Sequence, residues 1–396
     1  MKVALFIDTY YPTLDGVYKV VDNYARRLAC KCDEVVVYGP KVAGWKESDD
    51  EKTFPYKIKR CNSFFYKKVN YFLPFPHTDI PFLRELLKQD YDIVHIHSPF
   101  PLGLTGVQYS KIKKVPIVAT LHSQYKQDFK KTFKGKLIAK IAMWQIMSVF
   151  NRCTECWAVN DDIRKLYLGE YGLKVPARVQ LNATDHKAVS DPVAAAAEVN
   201  KLYGLKEDEK VFLFIGRITF IKNIDFIVRS LSILKEKGHS FKMLFVGTGA
   251  HEKKLAKLIK SLNLEDCIMM CGEVSDVSLL EKIYSRADLF LFPSLYDSNS
   301  IVQIEAACQR TPTVFLEGAR TACTITDNVN GYIVSPKTEE AYANRIIEIF
   351  SDKEAYEKVC DAAQRDIYKN WDDIVDEVYA RYEELIAKNK ELKKAN

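Results

Sequence analysis

Two cations follow a glycine at a spacing that could bind the oxygens of a diphosphate. The apolar run 211–215 leads into Gly216, and Arg217 and Lys222 come next along the chain. Glycine lets a ligand approach the backbone closely, a guanidinium can hold two phosphate oxygens at once, and an ammonium adds a point charge. The pattern predicts a phosphate site that needs no metal, although two such cations after a strand are more often only hydrated surface charges.

A second candidate is a pair of carboxylates around the expected start of a helix. Asp297 follows the apolar run 289–293, and Glu305 comes about two helical turns later. A helix beginning near Ser300 would present free N–H groups and a positive dipole end to a phosphate or sugar oxygen. The plainer alternative is that Asp297 only caps the helix and that Glu305 is a solvated helix charge.

Two loops in the first half of the chain could also contact a ligand. Gly16 lies between the first predicted strand and the first predicted helix, but it has no glycine partners in a dinucleotide-binding pattern. His122 ends a predicted strand, and His95 and His97 form another polar strand end. A lone histidine is usually structural, and one strand with two histidines does not make a metal site. No metal ligand set is predicted.

The elements that must position these residues alternate between strands and helices. Short β-branched or aromatic runs cover residues 3–8, 34–38, 56–61, 92–97, 117–122, 156–160 and 178–181, and then 211–215, 242–246, 268–272, 289–293, 313–316 and 332–334. Stretches with helical apolar spacing, such as 17–30, separate several of them. This alternation predicts two α/β domains, each a doubly wound parallel sheet, with residues 187–200 as a connector. Ligands in such folds bind at the carboxyl ends of the strands, here in a cleft between the domains.

Taken in order, the motifs resemble those of retaining glycosyltransferases of family 4, which have the GT-B fold. The matching segments are D-I-V-H-I-H-S-P at 92–99, T-L-H at 120–122, N-A-T-D at 182–185, G-R-I-T-F-I-K at 216–222, V-G-T-G at 246–249, the stretch from Phe292 to Ala306, N-G at 330–331 and Trp371 with the helix after it. The resemblance spans nearly the whole chain and is strongest to enzymes that glycosylate diacylglycerol and other lipids. It implies a Rossmann-like acceptor domain at 1–190, a Rossmann-like donor domain at 191–365 and a helical tail at 366–396 that returns to the first domain.

The resemblance also implies roles for individual residues. Arg217 and Lys222 would hold the donor diphosphate, and Gly16 would close over it. Glu305 would bind the nucleotide ribose, and Asp297 would bind the donor sugar. His122 would lie beside the reacting sugar. The implied catalytic residues are His122, Asp297, Arg217 and Lys222, and the implied donor-binding residues are Gly16, Gly216, Arg217, Lys222, Val274, Asp297, Asn299, Ser300, Ile301 and Glu305.

Three positions depart from the family pattern. Asp297 stands where the family usually has glutamate, Ser298-Asn299-Ser300 replaces Gly-Phe-Gly, and Asp15-Gly16 replaces Gly-Gly. The aspartate is one methylene shorter than glutamate, so the contact to the sugar would have to be re-spaced. These changes leave open a non-catalytic relative that only binds a nucleotide sugar.

The charge of the chain is unevenly divided. The net charge is +6, yet residues 1–190 hold 30 Lys and Arg against 19 Asp and Glu, which gives +11 and leaves −5 for the rest. Cations alternate with aromatics around 57–72, and lysines recur at helical spacing from residue 126 onward beside an apolar stripe of Phe129, Phe133, Leu137 and Ile141. Such a face suits anionic lipid headgroups, although a core-packed helix with a hydrated side gives a similar pattern. The predicted membrane-binding residues are Lys59, Arg60, Phe64, Phe65, Lys67, Lys68, Lys126, Lys130, Lys131 and Lys134.

The sequence shows no export signal and no apolar run long enough to span a bilayer, and its ten cysteines are expected to be reduced thiols. Basic and aromatic residues could also serve nucleic acid, but no recognition motif accompanies them, so no nucleic-acid partner is expected. We expect a cytoplasmic enzyme, peripheral on the inner membrane face, that needs no cofactor and moves a hexose, with UDP-glucose as the expected donor, to a lipid such as 1,2-diacylglycerol. A soluble or carrier-linked glycan is the alternative acceptor.

Overall fold

The computed structural model describes residues 1–11, 15–42, 53–66, 71–132 and 136–395. The chain divides into unit 1, which comprises Met1–Asn182 and Trp371–Asn396, and unit 2, which comprises Ala183–Asn370. The sequence placed these divisions after residues 190 and 365 instead. Each unit has its own parallel sheet and its own hydrophobic core. The predicted α/β fold class is confirmed.

The sheet of unit 1 is parallel throughout and has the strand order β3-β2-β1-β6-β7-β8-β9. A separate antiparallel pair, β4 with β5, was not predicted from the sequence. The strands of unit 1 are β1 (Lys2–Phe6), β2 (Glu34–Pro40), β3 (Lys57–Cys61), β4 (Ser63–Tyr66), β5 (Tyr71–Pro74), β6 (Ile93–Ile96), β7 (Ile117–Leu121), β8 (Glu155–Ala158) and β9 (Ala177–Val179).

The helices of unit 1 lie mainly in the crossovers between these strands. They are α1 (Gly16–Ala29), α2 (Ile80–Lys88), α3 (Pro101–Lys113), α4 (Tyr125–Thr132), α5 (Lys136–Phe150) and α6 (Asp161–Lys165), followed by a π-turn at Leu166–Glu170. Helix α1 shows why such segments are helical. Asp15 caps its first turn by accepting a hydrogen bond from the N–H of Tyr18, and Val20, Val21, Tyr24 and Leu28 form its buried face.

The sheet of unit 2 is also parallel, with the strand order β12-β11-β10-β13-β14-β15. Its strands are β10 (Val211–Ile215), β11 (Lys242–Val246), β12 (Ile268–Gly272), β13 (Leu289–Leu291), β14 (Thr313–Leu316) and β15 (Tyr332–Val334). Its helices are α7 (Pro192–Tyr203), α8 (Ile224–Glu236), α9 (Glu252–Ser261), α10 (Val277–Arg286), α11 (Ile301–Cys308), α12 (Glu339–Ile349) and α13 (Lys353–Ile367).

Helix α7 corrects one prediction. The segment 187–200 was interpreted as a connector, but most of it belongs to a helix of three turns. The Asp191 carboxylate accepts hydrogen bonds from the N–H groups of Val193 and Ala194, Pro192 occupies the first turn, and Gly204 ends the helix at a φ of 63°. Proline at the start and left-handed glycine at the end are standard helix boundaries.

The last helix, α14 (Trp371–Ala395), packs on unit 1. The ring of Trp371 meets the ring of Tyr24 edge-on at 5.9 Å between centroids. Further along, Arg381 forms an ion pair with the buried carboxylate of Glu155, to which the indole N–H of Trp157 also donates a hydrogen bond. The expected return of the C-terminal helix to the first domain is therefore confirmed.

The strand orders place the candidate residues at two sheet edges. All strands of a parallel sheet end at the same edge, and β11, β10 and β13 are neighbours in unit 2, as β1, β6 and β7 are in unit 1. The loops after these neighbouring strands carry Arg217, Lys222 and Asp297 in unit 2 and His97 and His122 in unit 1. Within the described ranges, no helix combines the length and the apolar character that crossing a membrane requires.

Candidate active site

The loop after β10 is held against the loop after β11 by close backbone contact. The N–H of Gly216 donates to the carbonyl oxygen of Val246 at 3.0 Å, and Gly216 has a φ of 149°. A Cβ on Gly247 would lie 2.2 Å from the Gly216 carbonyl oxygen, so a side chain is excluded there. These glycines let two neighbouring strand ends approach closely and form one polar surface.

Lys222 and Asp297 form an ion pair at this edge. The Lys222 Nζ lies 2.7 Å from Asp297 Oδ1, and the Ser294 hydroxyl donates to Asp297 Oδ2 at 2.6 Å. The Lys222 ammonium also lies 5.3 Å from the centre of the Phe292 ring. Both side chains of the pair are more than four-fifths buried, at 15% and 17% exposed. The sequence separated these residues into a phosphate site and a sugar site, whereas the structure joins them in one cluster.

Arg217 differs from Lys222 because it is exposed. It makes no ion pair with another described residue. Its guanidinium is thus available to an anion, while the charge of Lys222 is already partly balanced by Asp297. The cluster can accept a polyanion if Arg217 contributes its full charge and Lys222 shares its donors between Asp297 and the ligand.

Helix α11 begins where the sequence predicted. Ser300 is its N-cap and makes no side-chain capping bond, and Ile301 is the first helical residue. Ser300 is buried, while Asn299 and Ile301 are partly exposed. The first-turn N–H groups of such a helix have no partner within the helix and favour an acceptor oxygen. This helix start follows Asp297 directly, so the two features belong to the same loop.

Glu305 is not a solvated helix charge. Its side chain is 8% exposed, the Tyr284 hydroxyl donates to its Oε2 at 2.8 Å, and its Oε1 lies 3.7 Å from His186 Nε2. The adjacent carboxylate and burial raise the pKa of Tyr284, with burial the larger cause. Both carboxylate oxygens thus face protein groups, and a ribose would have to share or displace them. The ribose contact stays a prediction.

The remaining residues predicted to bind the donor substrate are Val274 and Gly16, one in each unit of the structure. Val274 lies after β12, partly buried against the core of unit 2. Gly16 is the exposed first residue of α1 in unit 1, and a Cβ placed there would meet no described atom within 4 Å. The described residues around it therefore do not require glycine at position 16.

Unit 1 contributes a stack of three imidazole rings. His97 lies between His95 and His122, with ring centroids 4.1 Å and 5.4 Å away, and His97 Nδ1 is 3.2 Å from His122 Nε2. Burial holds the pKa of His95 and of His97 well below the usual range, and it lowers the pKa of His122 to about 3. The three rings are therefore neutral at physiological pH. Sequence reasoning named His122 but did not link it to His97, which ends the neighbouring strand.

Among the predicted membrane-binding residues whose side chains the structure describes, the three cations are engaged by neighbouring protein groups. Lys59 pairs with Glu85 at 2.6 Å, and Arg60 donates to the carbonyl oxygen of Pro40 at 2.8 Å, so both are engaged on the edge strand β3. Lys126 pairs with Glu170. Phe64 and Phe65 on β4 are about half exposed. Lys67, Lys68 and Lys134 lie outside the described residues, and the structure describes the backbone of Lys130 and Lys131 on α4 but not their side chains.

An exposed apolar face on α5 was largely missed. Leu137, Ile138, Ile141 and Trp144 are 70%, 54%, 55% and 72% exposed. Their spacing places them on one side of the helix, whereas the second half of α5 is mostly buried, as at Ile146 and Phe150. The sequence suggested a single basic and apolar stripe from residue 126 to 141, but α4 ends at Thr132 and α5 begins at Lys136. The helical spacing of Leu137, Ile141 and Trp144 is the feature of the sequence that indicates this apolar face.

Taken together, unit 2 offers cations and helix N–H groups to an anionic diphosphate, and unit 1 offers a neutral histidine near its strand ends. Comparison with known proteins gives this chemistry a family. Residues 14–187 match the model of the family described as Glycosyltransferase Family 4, and residues 197–366 match that of Glycosyl transferases group 1.

Individual relatives are distant. The chain is 26% identical to an uncharacterized glycosyltransferase of Methanocaldococcus jannaschii over 74% of this chain and 75% of the relative. It is 23% identical to the alpha-monoglucosyldiacylglycerol synthase of Streptococcus pneumoniae over 79% and 70%. The crystal structure of Anabaena HepE in complex with UDP superimposes with a TM-score of 0.78 at 15% identity, covering 97% of this chain and all of that one.

The two family models follow each other along most of the sequence, and the structural neighbours are GT-B enzymes such as HepE and sucrose-phosphate synthase. The chain therefore belongs to the glycosyltransferases, with a family 4 domain followed by a group 1 domain in the GT-B fold.

Proposed function

We propose that this glycosyltransferase moves a hexose from a nucleoside-diphosphate sugar, with UDP-glucose as the expected donor, to a membrane lipid such as 1,2-diacylglycerol. The transfer would retain the anomeric configuration and would need no metal ion or other cofactor. The bond from the anomeric carbon to the β-phosphate oxygen breaks, a bond to the lipid hydroxyl oxygen forms, and the hydroxyl proton passes to the leaving diphosphate.

The donor assignment is supported by the cations of unit 2. Arg217 and Lys222 follow the central strand β10, and the start of α11 lies in the loop after the adjacent β13. Charge that develops on a leaving diphosphate is stabilised by fixed cations and N–H donors, which is the usual role of a metal ion in other transferases. The structural neighbour HepE has been crystallised in complex with UDP-glucose.

The proposed stereochemistry rests on the environment of Asp297. Its two oxygens accept from Lys222 and Ser294, so this carboxylate is neutralised and held in place. Attack by the acceptor on the same face as the departing diphosphate needs positioning and charge stabilisation, not a covalent intermediate on Asp297. Asp297 would then orient Lys222 and contact the sugar.

The observation that carries the lipid acceptor is the exposed apolar face of α5. Four large apolar side chains on one side of a helix, each more than half exposed, are unusual on a protein surface that meets only water. An amphipathic helix of this kind can lie in the headgroup region with its apolar side chains inserted. At about 1 kcal/mol for each half-exposed side chain that leaves water, the four together supply roughly 4 kcal/mol of membrane affinity. We propose peripheral attachment at the cytoplasmic face of the membrane through this face and the nearby lysines.

The proposal is tested by incubating the full chain with radiolabelled UDP-glucose and vesicles that contain anionic phosphatidylglycerol, with and without diacylglycerol. We expect label in the lipid phase only with diacylglycerol, unchanged by EDTA, and an α-linked product by NMR. Label in a soluble glycan acceptor but not in lipid would favour the alternative acceptor. Binding of UDP-glucose without release of UDP under any condition would show a non-catalytic binder.

A matched pair of variants tests the role of α5. Ile141 on α5 and Ile112 on α3 are 55% and 62% exposed, so both substitutions to serine should leave the fold intact. Ile141→Ser should reduce sedimentation with the vesicles about fivefold, because one of the four inserted side chains is lost. Ile112→Ser should sediment like the parent chain. Equal binding by both variants would place the membrane contact elsewhere.

A further inference from the structure

The hydrogen bond between His97 and His122 joins a fully buried ring to a partly exposed one. His97 is 1% exposed, its Nδ1 lies 3.2 Å from His122 Nε2, and its own Nε2 is buried without a hydrogen-bond partner among the described residues. The Nδ1 of His122 also has no hydrogen-bond partner within the described ranges. Among the described residues, the hydrogen-bonded pair of rings therefore ends in two unbonded nitrogens, Nε2 of the buried His97 and Nδ1 of the partly exposed His122.

Only two proton arrangements fit this geometry. Both rings are neutral, so each carries one proton, and one proton lies between the two facing nitrogens. Either His97 donates from Nδ1, which leaves its Nε2 as a bare lone pair and puts the proton of His122 on Nδ1. Or His122 donates from Nε2, which puts the proton of His97 on the buried Nε2 and leaves His122 Nδ1 bare.

The buried Nε2 of His97 decides between them. In the second arrangement this nitrogen would carry an N–H group without an acceptor, and orphaned buried N–H groups are rarer than acceptors that lack a donor. A buried N–H group that lacks an acceptor destabilises the arrangement that contains it. The first arrangement avoids the orphaned donor, and a difference of about 1.4 kcal/mol already gives a tenfold preference.

We propose that His97 is a positioning residue that fixes His122 in the tautomer protonated on Nδ1, so that His122 offers a hydrogen-bond donor and not a base. The ligand group that this donor fits is an oxygen acceptor, either a sugar hydroxyl or a phosphate oxygen. The inference rests on the proposed function where it places His122 beside the donor sugar, but the tautomer itself does not depend on that function.

The packing around His97 explains why its ring can set the orientation of its neighbour. One face stacks on His95 at 4.1 Å, and the ring of Tyr24 meets it edge-on at 5.8 Å. His95 is fixed in turn, because its Nδ1 bonds the Tyr382 hydroxyl at 2.5 Å and its Nε2 bonds the Thr120 hydroxyl at 2.7 Å. Packing against His95 and Tyr24 fixes the plane of the His97 ring, and the hydrogen bond to His122 fixes which edge of the ring carries Nδ1 toward His122.

The tautomer is measured directly by two-bond ¹H–¹⁵N correlation spectra of the full chain labelled with ¹⁵N-histidine at pH 7.5. The two nitrogens of each ring have distinct shifts for the protonated and the bare state, and a His122→Gln variant identifies the signals of His122. We expect His122 to be protonated at Nδ1. A proton on Nε2 of His122 in the parent chain would overturn the proposal.

Two substitutions of His97 then separate positioning from packing. His97→Asn can keep a donor near the former Nδ1 and should retain the Nδ1–H signal of His122 and kcat within about threefold. His97→Leu removes the donor, so His122 should shift toward the Nε2–H form and kcat should fall about tenfold with KM little changed. Tyr91→Leu is the control, since it removes a buried ring of unit 1 whose described ring contacts are Tyr38 and Tyr109 and not the histidines.

The outcomes distinguish the two proposals. If His97→Leu and Tyr91→Leu lower kcat equally and neither changes the spectrum of His122, the role of His97 is structural and the inference fails. If no sugar transfer is found with any acceptor but the spectra behave as expected, the proposed function fails while the tautomer assignment stands.

Discussion

Lowering the pH from 7.5 to 5.5 should destabilise unit 1 through its buried histidines. His95 and His97 are 0% and 1% exposed, and their described hydrogen-bond and ring partners are aromatic side chains, imidazoles and hydroxyl groups, with no carboxylate among them. Burial, with a smaller contribution from the neighbouring imidazoles, keeps their pKa well below 6.5 in the folded chain. After unfolding, both rings bind a proton as the pH falls through that value.

The sign and size follow from proton linkage. The unfolded state binds more protons than the folded state below pH 6.5, so the free energy of unfolding falls as the pH falls. At pH 5.5 the His95 and His97 rings each lower it by about 1.4 kcal/mol, and so does His122, whose pKa burial lowers to about 3, which makes about 4 kcal/mol for the three rings. Asp8 acts in the opposite direction, because burial raises its pKa to about 6 and its protonation favours the folded state by about 0.8 kcal/mol over the same interval. We expect a net loss of about 3 kcal/mol.

Tryptophan emission can measure the pH-dependent stability of unit 1 separately from that of unit 2. All four tryptophans, Trp45, Trp144, Trp157 and Trp371, fall within the ranges of unit 1, so urea unfolding followed by their emission reports on this unit alone. Carboxylates whose pKa is lowered by ion pairs, such as Asp33 and Asp161, lose their contribution only below about pH 4 and do not interfere.

Two histidine variants, one buried and one exposed, test whether the buried rings cause the pH dependence. His97→Asn should reduce the loss by about 1.4 kcal/mol, whereas His77→Gln, at an exposed position, should leave it in place. A change of less than about 0.5 kcal/mol between the two pH values, or the same change in the parent chain and in His97→Asn, would contradict the assignment of neutral rings to His95, His97 and His122.

Three further results are expected. Lys222→Ala should lower kcat/KM about 100-fold in steady-state kinetics, because a cation that binds the phosphate is lost. The same substitution should lower the free energy of urea unfolding by only about 1 kcal/mol, because Ser294 still donates to Asp297. Gly16→Ala should keep the melting temperature but slow transfer, while Gly247→Ala should lower the melting temperature by several degrees because its Cβ overlaps a carbonyl oxygen. Arg381→Met should cost about 2 kcal/mol in urea unfolding, largely recovered in the double variant with Glu155→Gln, since the unpaired carboxylate is then gone.

Much of the fold could be predicted because its determinants are local. The central strands of the two parallel sheets, such as β6 and β10, are short, nearly continuous apolar runs, and this pattern is set by burial on both faces. The pair β4 and β5 was missed because its alternation of aromatics with lysines was interpreted as a binding surface, whereas Phe64 pairs with Leu73 across an antiparallel ladder. Asp191, Pro192 and Gly204 mark the boundaries of helix α7 in the sequence, but the alanine run between them resembles a linker in composition.

The site was less predictable because its contacts are long-range. Lys222 and Asp297 were both identified, yet their ion pair joins loops that only the neighbouring positions of β10 and β13 bring together. Tyr284 and His186 reach Glu305 from separate elements, so nothing near residue 305 in the sequence indicates that its carboxylate is engaged. The exposure of Trp144 likewise depends on which side of α5 the sheet covers, and helical spacing alone does not give that direction.

The position of α14 affects how the chain can fold during synthesis. Unit 1 is discontinuous, because Trp371 and the residues after it complete a structure that begins at Met1, while unit 2 is one uninterrupted insert. A ribosome releases the whole of unit 2 before the Glu155 carboxylate can meet Arg381 or the His95 ring can meet Tyr382. These polar groups of the nascent first unit therefore stay without their partners until α14 has been synthesised. Unit 2 is complete earlier, so its core can form first.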